Sequence, residues 1–552
     1  MAIQTSDYFS RRGGEPDFTT ATYLIIDSVP EMRNALSMTL ASFGANKVEF
    51  ASRLTDAISR IQRTEFDVIL SDLSLGHPFD GLYLLEEIKT RNLLKQSAVF
   101  MIVTAEARAQ NVLSAVEQAP DDYLLKPFTG ETLRQRLEKA FYKKQAFRVV
   151  DDAVLKHDYL SALTECNRRI DDNDPYMIDF MKLKGRLCLL TGDALEARKT
   201  YEEVLRIRPI PWAQMGLGKS LYKQNDYQKA QRVFESIISE NQYAMEAYDW
   251  LANCMEARQD TLGAQAMLQK AVNLSPAIIG RLRRLGDIAK VNEDWERVAK
   301  AYESSIEYGK YSFHHDPLDY AHLSQAQLAQ GDDASAEKTL SQVKRAFATP
   351  EADLLASTME CQIAIKKHDF ARAEKQIQHA LEQYQNLADK APEAVAVELA
   401  GACYAAHLPE QGDKIVQQVV KNHDDKPQLM RHVEHMFRAA NRQSEGQRLI
   451  EANAQDVVEM NNAAVRMAQS GDLEGAVQHF LSVLSERPNN LTVMINATNA
   501  LLAYVAKNGW HDNYMALAHD YLNHIRTQDP TNGKYQRLMA LYRQLQQKFG
   551  VR

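Results

Sequence analysis

The sequence predicts a multidomain chain: an α/β, doubly wound, five-stranded parallel sheet, then an all-helical repeat array. Three observations predict this. Short apolar, β-rich runs alternate with helical patterns over roughly residues 20–145. Beyond Tyr142 the strand signals stop. From there a small residue followed four places later by a large apolar one recurs at a spacing near 34.

The first strand is Tyr23–Ile26, ending in Asp27-Ser28 with Pro30 beyond. Met32, Ala35, Leu36 and Leu40 share one helical face. Lys47–Ala51 is a short second strand, and Leu54, Ala57, Ile58 and Ile61 mark the next helix. Asp67–Ser71 is the third strand; it delivers Asp72 and breaks at Gly76 and Pro78. A third helix begins over Leu82–Lys89. Ala98–Thr104 is the fourth strand, with a helical stretch after it. Asp122–Leu125 is the fifth, leading into Lys126-Pro127, and a last helix runs from about Glu131 to Tyr142.

In doubly wound sheets function gathers at the carboxyl ends of the strands. Those ends carry Asp27, Asp72, Thr104 and Lys126. Two carboxylates, a hydroxyl and an ammonium on one rim suit phosphoryl transfer to a carboxylate. The acids can hold Mg²⁺, the lysine can pair with the product phosphate, and the threonine can hydrogen-bond it. Asp72 is the carboxylate best placed for in-line attack.

The series Ile-Ile-Asp27, Leu-Ser-Asp72, Val-Thr104-Ala105 and Tyr123-Leu-Leu-Lys126-Pro127 resembles the receiver domain of two-component response regulators, a CheY-like, flavodoxin-like fold. The resemblance implies an aspartyl phosphate on Asp72, donated by a sensor histidine kinase. It makes Thr104 the switch hydroxyl, Tyr123 the switch aromatic and Lys126 the phosphate partner. Mg²⁺ would be held by Asp27, Asp72 and the backbone carbonyl of Ser74. Two departures stand out. Ser28 occupies the place of a second acidic ligand, which should weaken Mg²⁺ binding. The loop from Asp72 to Asp80-Gly81 is also one residue longer than usual. The alternative is therefore a pseudo-receiver that keeps the fold without the phosphorylation.

In the array, Ala197 pairs with Tyr201, Ala230 with Phe234, Ala264 with Leu268 and Ala476 with Phe480. Gly185, Gly218, Ala252 and Ala464 lie twelve before; Pro209, Pro276 and Pro488 lie twelve after. The small residues let helices approach, the large one fills the gap, and the proline stops the second helix. The pattern resembles the tetratricopeptide repeat. Weaker units start near Ile279, Pro317 and Leu354 and at about 393, 427 and 491. A half-match at Ala162 suggests that the helix leaving the first domain is already part of a unit. About nine or ten units are expected over 146–552, with Lys534–Phe549 as a polar cap.

Composition narrows the function. At 552 residues the chain exceeds one core, and its net charge of −8 gives no general attraction to nucleic acid or acidic lipid. The longest apolar runs are strand length, so no membrane span is expected. Residues 1–19 read as a disordered lead-in without a signal-peptide core. Five scattered cysteines, Cys166, Cys188, Cys254, Cys361 and Cys403, read as small buried residues of a cytoplasmic protein. No phosphate-binding glycine loop, H-E-x-x-H or G-x-S-x-G occurs in the array. His314-His315-Asp316 reads as an exposed loop, Arg281 with Arg284 as a solvated or acid-paired face, and Arg431, His432 and His435 as surface.

The expected function is that of a response regulator whose phosphorylation at Asp72 modulates protein binding by the repeats. No enzyme activity is expected beyond self-phosphorylation from a phosphodonor and autodephosphorylation. By family analogy the partner is another signalling protein, such as a cyclic-di-GMP enzyme; the alternative is a constitutive scaffold.

Overall fold

A computed structural model describes residues 18–75, 81, 84, 85, 88, 93, 94, 98–105, 120–310, 314–387, 391–424, 426–529 and 532–550. The chain divides into two compact units. One holds residues up to Leu189 with Asp193–Arg284 and Glu307–His315; the other holds Leu190–Gly192, Leu285–Ile306 and Asp316 onward.

Five strands form the sheet of the first unit: β1 (Thr22–Ile26), β2 (Lys47–Ala51), β3 (Val68–Ser71), β4 (Val99–Thr104) and β5 (Asp122–Leu125). All pairs are parallel and the order is β2-β1-β3-β4-β5. The strands read as continuous apolar runs because both faces are covered. Leu24, Ile26, Ile69, Phe100 and Ile102 meet Ala57 and Ile61 of α2 (Leu54–Arg63) on one face. Tyr23, Ile25, Leu70, Met101 and Val103 meet Leu36 and Leu40 of α1 (Pro30–Ala41) on the other. The predicted third helix is described only at Gly81, Leu84, Leu85 and Ile88, which are helical. The predicted helix after β4 lies outside the described residues, as do residues 1–17, Gly76, Pro78 and Asp80. Phe18, within the expected lead-in, is buried and packs edge-on against Phe141 at 5.7 Å.

The last helix of the sheet domain was expected to stop near Tyr142. Instead α3 spans Gly130–Leu155 without interruption. No glycine or proline follows Gly130 within it. Leu133 and Leu137 pack on the sheet, while Phe147 and Val150 pack with Tyr159, Ala162, Cys166 and Phe180 in the first helical hairpin. Phe147 stacks on Phe180 at 4.1 Å. The chain position 145/146, expected as a domain boundary, falls inside this helix.

The rest of the described chain is helical: α4 (Tyr159–Asp171), α5 (Met177–Leu190), α6 (Ala194–Ile207), α7 (Pro211–Lys223), α8 (Tyr227–Glu240), α9 (Met245–Ala257), α10 (Thr261–Leu274), α11 (Ile279–Val291), α12 (Trp295–Gly309), α13 (Pro317–Ala329), α14 (Asp333–Ala346), α15 (Pro350–Lys366), α16 (Phe370–Leu387), α17 (Glu393–Ala405), α18 (Pro409–His423), α19 (Pro427–Ala439), α20 (Gln443–Gln469), α21 (Leu473–Glu486), α22 (Leu491–Asn508), α23 (Asp512–Gln528) and α24 (Gly533–Phe549). Gly185 and Gly216 both face the Tyr201 ring, where an added Cβ would lie 2.5 and 2.3 Å from Cζ. Gly218 meets Phe234 and Gly286 meets Tyr302 in the same way. The small positions of the repeat are thus the sockets of its aromatic rings.

A second signal punctuates the hairpins. One residue in the left-handed region closes the turn, and an aspartate then caps the next helix. His157-Asp158, Gly192-Asp193, Asn225-Asp226, Gln259-Asp260, Gly331-Asp332 and Gly471-Asp472 all do this. Each aspartate accepts from the backbone N–H three residues on. Where Leu408 and Arg442 replace the aspartate, no side chain caps the helix.

Candidate functional site

Parallel pairing brings the four predicted rim residues together. Ile26 is level with Ser71, Ser71 with Ile102, and Thr104 with Leu125. The residues that follow extend the ladder: Asp72 N–H donates to the Ile26 carbonyl at 2.8 Å, and Lys126 N–H to that of Thr104 at 2.8 Å.

Lys126 Nζ donates to Asp27 Oδ2 at 2.7 Å and to Asp72 Oδ2 at 2.5 Å. Thr104 Oγ1 donates to Asp72 Oδ1 at 2.7 Å, and Ser74 N–H donates to the same oxygen at 3.1 Å. One ammonium therefore serves two carboxylates. The side chains of Asp27, Lys126 and Asp72 are 3%, 10% and 13% exposed, so the group is nearly dry with Asp72 its most open acid. Charge-assisted bonds of this kind are short and directional. Val29 N–H fixes the other oxygen of Asp27 at 2.8 Å. Tyr123 is half-buried against the Ile69 and Phe100 face of the sheet. Lys126-Pro127 is a cis peptide.

Two contributors had no role in the sequence reading, which used Gly81 only as a landmark of loop length. Arg33 Nη1 donates to the Asp27 carbonyl at 2.5 Å, holding the loop after β1. Its only sequence signal was a basic residue one turn into α1. Gly81 comes so close to the loop after β3 that a Cβ would lie 2.2 Å from the Asp72 carbonyl oxygen.

The donor set fits Mg²⁺, which takes oxygen ligands through one or two carboxylates and keeps several waters. Asp27 and Asp72 offer carboxylate oxygens, whereas the exposed Ser28 brings a hydroxyl in place of a charge. Ser28→Asp is therefore expected to tighten Mg²⁺ binding about tenfold, the equivalent of about 1.4 kcal/mol. Calorimetric titration of both proteins with MgCl₂ reads this; equal affinities would show that position 28 lies outside the ion's reach.

Elsewhere, Arg281 is buried and holds both oxygens of Asp249, at 2.9 and 2.8 Å, and Arg284 pairs with Glu256 at 2.5 Å. These arginines take the acid-paired form. Asp316 caps α13 through Leu318 N–H. Among the described residues no group of three or more His, Cys, Asp or Glu is placed to hold a metal ion. His432 and His435, expected on the surface, are instead partly buried, and His432 Nε2 bonds Glu398 at 2.9 Å. Nor is any helix of the described residues long and apolar enough to cross a membrane.

Comparison with known proteins agrees with this picture. Residues 23–138 match the family described as response regulator receiver domain, and residues 212–241 match tetratricopeptide repeat. Chemotaxis protein CheY-3 of Vibrio cholerae is 31% identical over 118 residues, 21% of this chain and 89% of that protein. Chemotaxis protein CheY of Pseudomonas aeruginosa is 30% identical over 118 residues, covering 21% and 94%. Among solved structures, a CheY-like receiver domain protein from Methanospirillum hungatei covers 23% of this chain and 96% of its own, at 21% identity and a TM-score of 0.21. A tetratricopeptide repeat protein from Parabacteroides merdae covers 49% and 98%, at 14% identity and a TM-score of 0.30.

Proposed function

We propose, for a chain that belongs to the response regulator receiver family through residues 23–138 and carries tetratricopeptide repeats beyond them, that Asp72 accepts a phosphoryl group and thereby modulates protein binding by the repeats. The carrying observation is the shared grip on Asp72 by Thr104 and Lys126. The donor is a sensor histidine kinase. Asp27, Asp72 and the Ser74 carbonyl would hold Mg²⁺, which would supply positive charge to offset that on the incoming group. Lys126 and Thr104 then follow the new phosphate oxygens, and Lys126 loosens its hold on the carboxylate. Tyr123 follows Thr104 at the edge of the sheet.

The receiver comprises residues 20–145 and the repeats 146–552, but α3 belongs to both. Its cap, Thr129, stands three residues from Lys126 and accepts from Thr132 N–H. A change at Lys126 thus reaches the first hairpin through continuous helix. Neither a receiver nor a repeat array is a typical enzyme fold. The output is regulation of a partner protein, by analogy a signalling protein such as a cyclic-di-GMP enzyme, and not DNA binding, which the net charge of −8 disfavours. Five buried free cysteines suit the reducing cytoplasm.

Amide hydrogen exchange on the full chain tests the coupling. With Mg²⁺ and a small acyl phosphate, protection should change around Thr104, Tyr123 and through α3 to Leu155, and Asp72→Ala should abolish the change. A response that stops at Lys126 would instead support the constitutive scaffold, the reading that the hydroxyl at Ser28 favours.

A further inference from the structure

In a solenoid each hairpin normally touches only its neighbours. Among the described residues the second unit departs from this rule at more than one place, Asn490 with Lys421 and Asp424 for example, and one such place is a buried cluster of ionisable side chains. Glu398 on α17 accepts a hydrogen bond from Gln325 Nε2 on α13, although α14, α15 and α16 lie between them in sequence. Glu398 also accepts from His432 Nε2 on α19 at 2.9 Å. His322 on α13 lies 4.0 Å from the same carboxylate oxygen through Nδ1. The rings of His322 and His432 are 6.0 Å apart although two hairpins intervene in the chain. Lys290 on α11 donates to His322 Nδ1 at 3.0 Å, and the Tyr302 ring stands 4.9 Å from that imidazole. Lys290 and Glu398 are 8% and 7% exposed.

The charges are arranged to be stable only when the hairpins meet. Burial would push the Glu398 carboxyl up, but the hydrogen bond from His432 and the nearby Lys290 outweigh it, holding it below the usual range. Burial and the Lys290 ammonium push His322 down to about 3, so it accepts as a neutral ring. His435, which also faces Lys290, His432 and Glu398, is held down to about 4 mainly by burial. Asp287, bound by Tyr302 Oη at 2.5 Å, is the remaining acid that faces His322.

We propose that Glu398, gripped by Gln325 and His432 and facing Lys290 across His322, is the bolt of a latch. It holds α13, α17 and α19 together, so that their spacing is set by this cluster as well as by the hairpins between them. The inference does not rest on phosphorylation of Asp72. An internal carboxylate that loses its partners is costly to leave buried, so the closed and open arrangements are discrete.

Hydrogen exchange and small-angle scattering of the full chain test the latch. Glu398→Ala should raise exchange about tenfold or more in α13 and α19 together, and increase the radius of gyration. Peptides from α3 and from α23 and α24 should not change. Gln325→Ala strands no charge and so serves if Glu398→Ala fails to fold; it should give the same paired response at smaller size. Exchange that rises only in α17 and its sequence neighbours, with an unchanged radius, would overturn the proposal. So would silence of Gln325→Ala in both measurements.

Discussion

Incubated with Mg²⁺ and a small acyl phosphate, the chain is expected to take up one phosphoryl group that survives acid and leaves in base, and Asp72→Ala is expected to take up none. A carboxylate oxygen of Asp72 would form the new bond to phosphorus. The donor's acyl oxygen would leave with the electron pair of the broken bond, so no proton need be moved. Asp27 is the less accessible acid, 3% exposed against 13% for Asp72, and is not expected to substitute. Lys126→Ala should slow uptake about a hundredfold, since it removes a cation that bonds both acids. The two variants should separate in stability as well. Asp72→Ala leaves Lys126 paired with Asp27, whereas Lys126→Ala leaves two acids facing each other. The second should cost about 3 kcal/mol in urea unfolding, the low end for a broken buried pair because Lys126 keeps some contact with water. Equal unfolding midpoints for the two would mean that water already screens the group.

The second large effect is expected at a residue that does no chemistry. Gly81 N–H donates to the Leu73 carbonyl at 2.9 Å, clamping the loop that follows Asp72. A Cβ there would stand 2.2 Å from the Asp72 carbonyl oxygen and 2.9 Å from Leu73 Cα. Both obstacles are backbone, so no side chain can swing aside. Gly81→Ala should cost about 3 kcal/mol, the upper range for an overpacked site. It should also slow phosphoryl uptake, because the displaced loop carries Asp72 and Ser74. Normal uptake and a normal unfolding midpoint in this variant would mean that the loop yields freely.

Much of this was legible from residue type and order. A parallel sheet buried on both faces leaves continuous apolar runs, so β3 and β4 stand out in the sequence. Each run ends in the residue that the sheet delivers to the rim, which made Asp27, Asp72, Thr104 and Lys126 readable before their distances were known. The repeat spacing was readable because Gly185, Gly218 and Gly286 each seat one ring. What stayed hidden depends on contacts between places distant in sequence. The latch joins Lys290, Gln325, Glu398 and His432, and repeat phase fixes only adjacent hairpins. His432 and His435 therefore looked like surface. The length of α3 was missed for another reason: two halves of one helix bury themselves in different cores, so its apolar stripe changes direction after Tyr142. The recurring aspartate after a left-handed turn residue was visible in the sequence but has no periodicity of hydrophobicity to announce it.

The unbroken α3 has a consequence for how such a chain can change over evolutionary time. Each residue of a helix turns its successors by about 100°. Two residues inserted between Leu137 and Phe147 would carry the apolar side chains of the hairpin to the far side of the rod, while seven would return them almost to their starting bearing. A receiver borrowed from another protein could be joined here only in the right rotational phase. The sheet and the repeats are in this sense geared together, and recombination between them is restricted to whole turns.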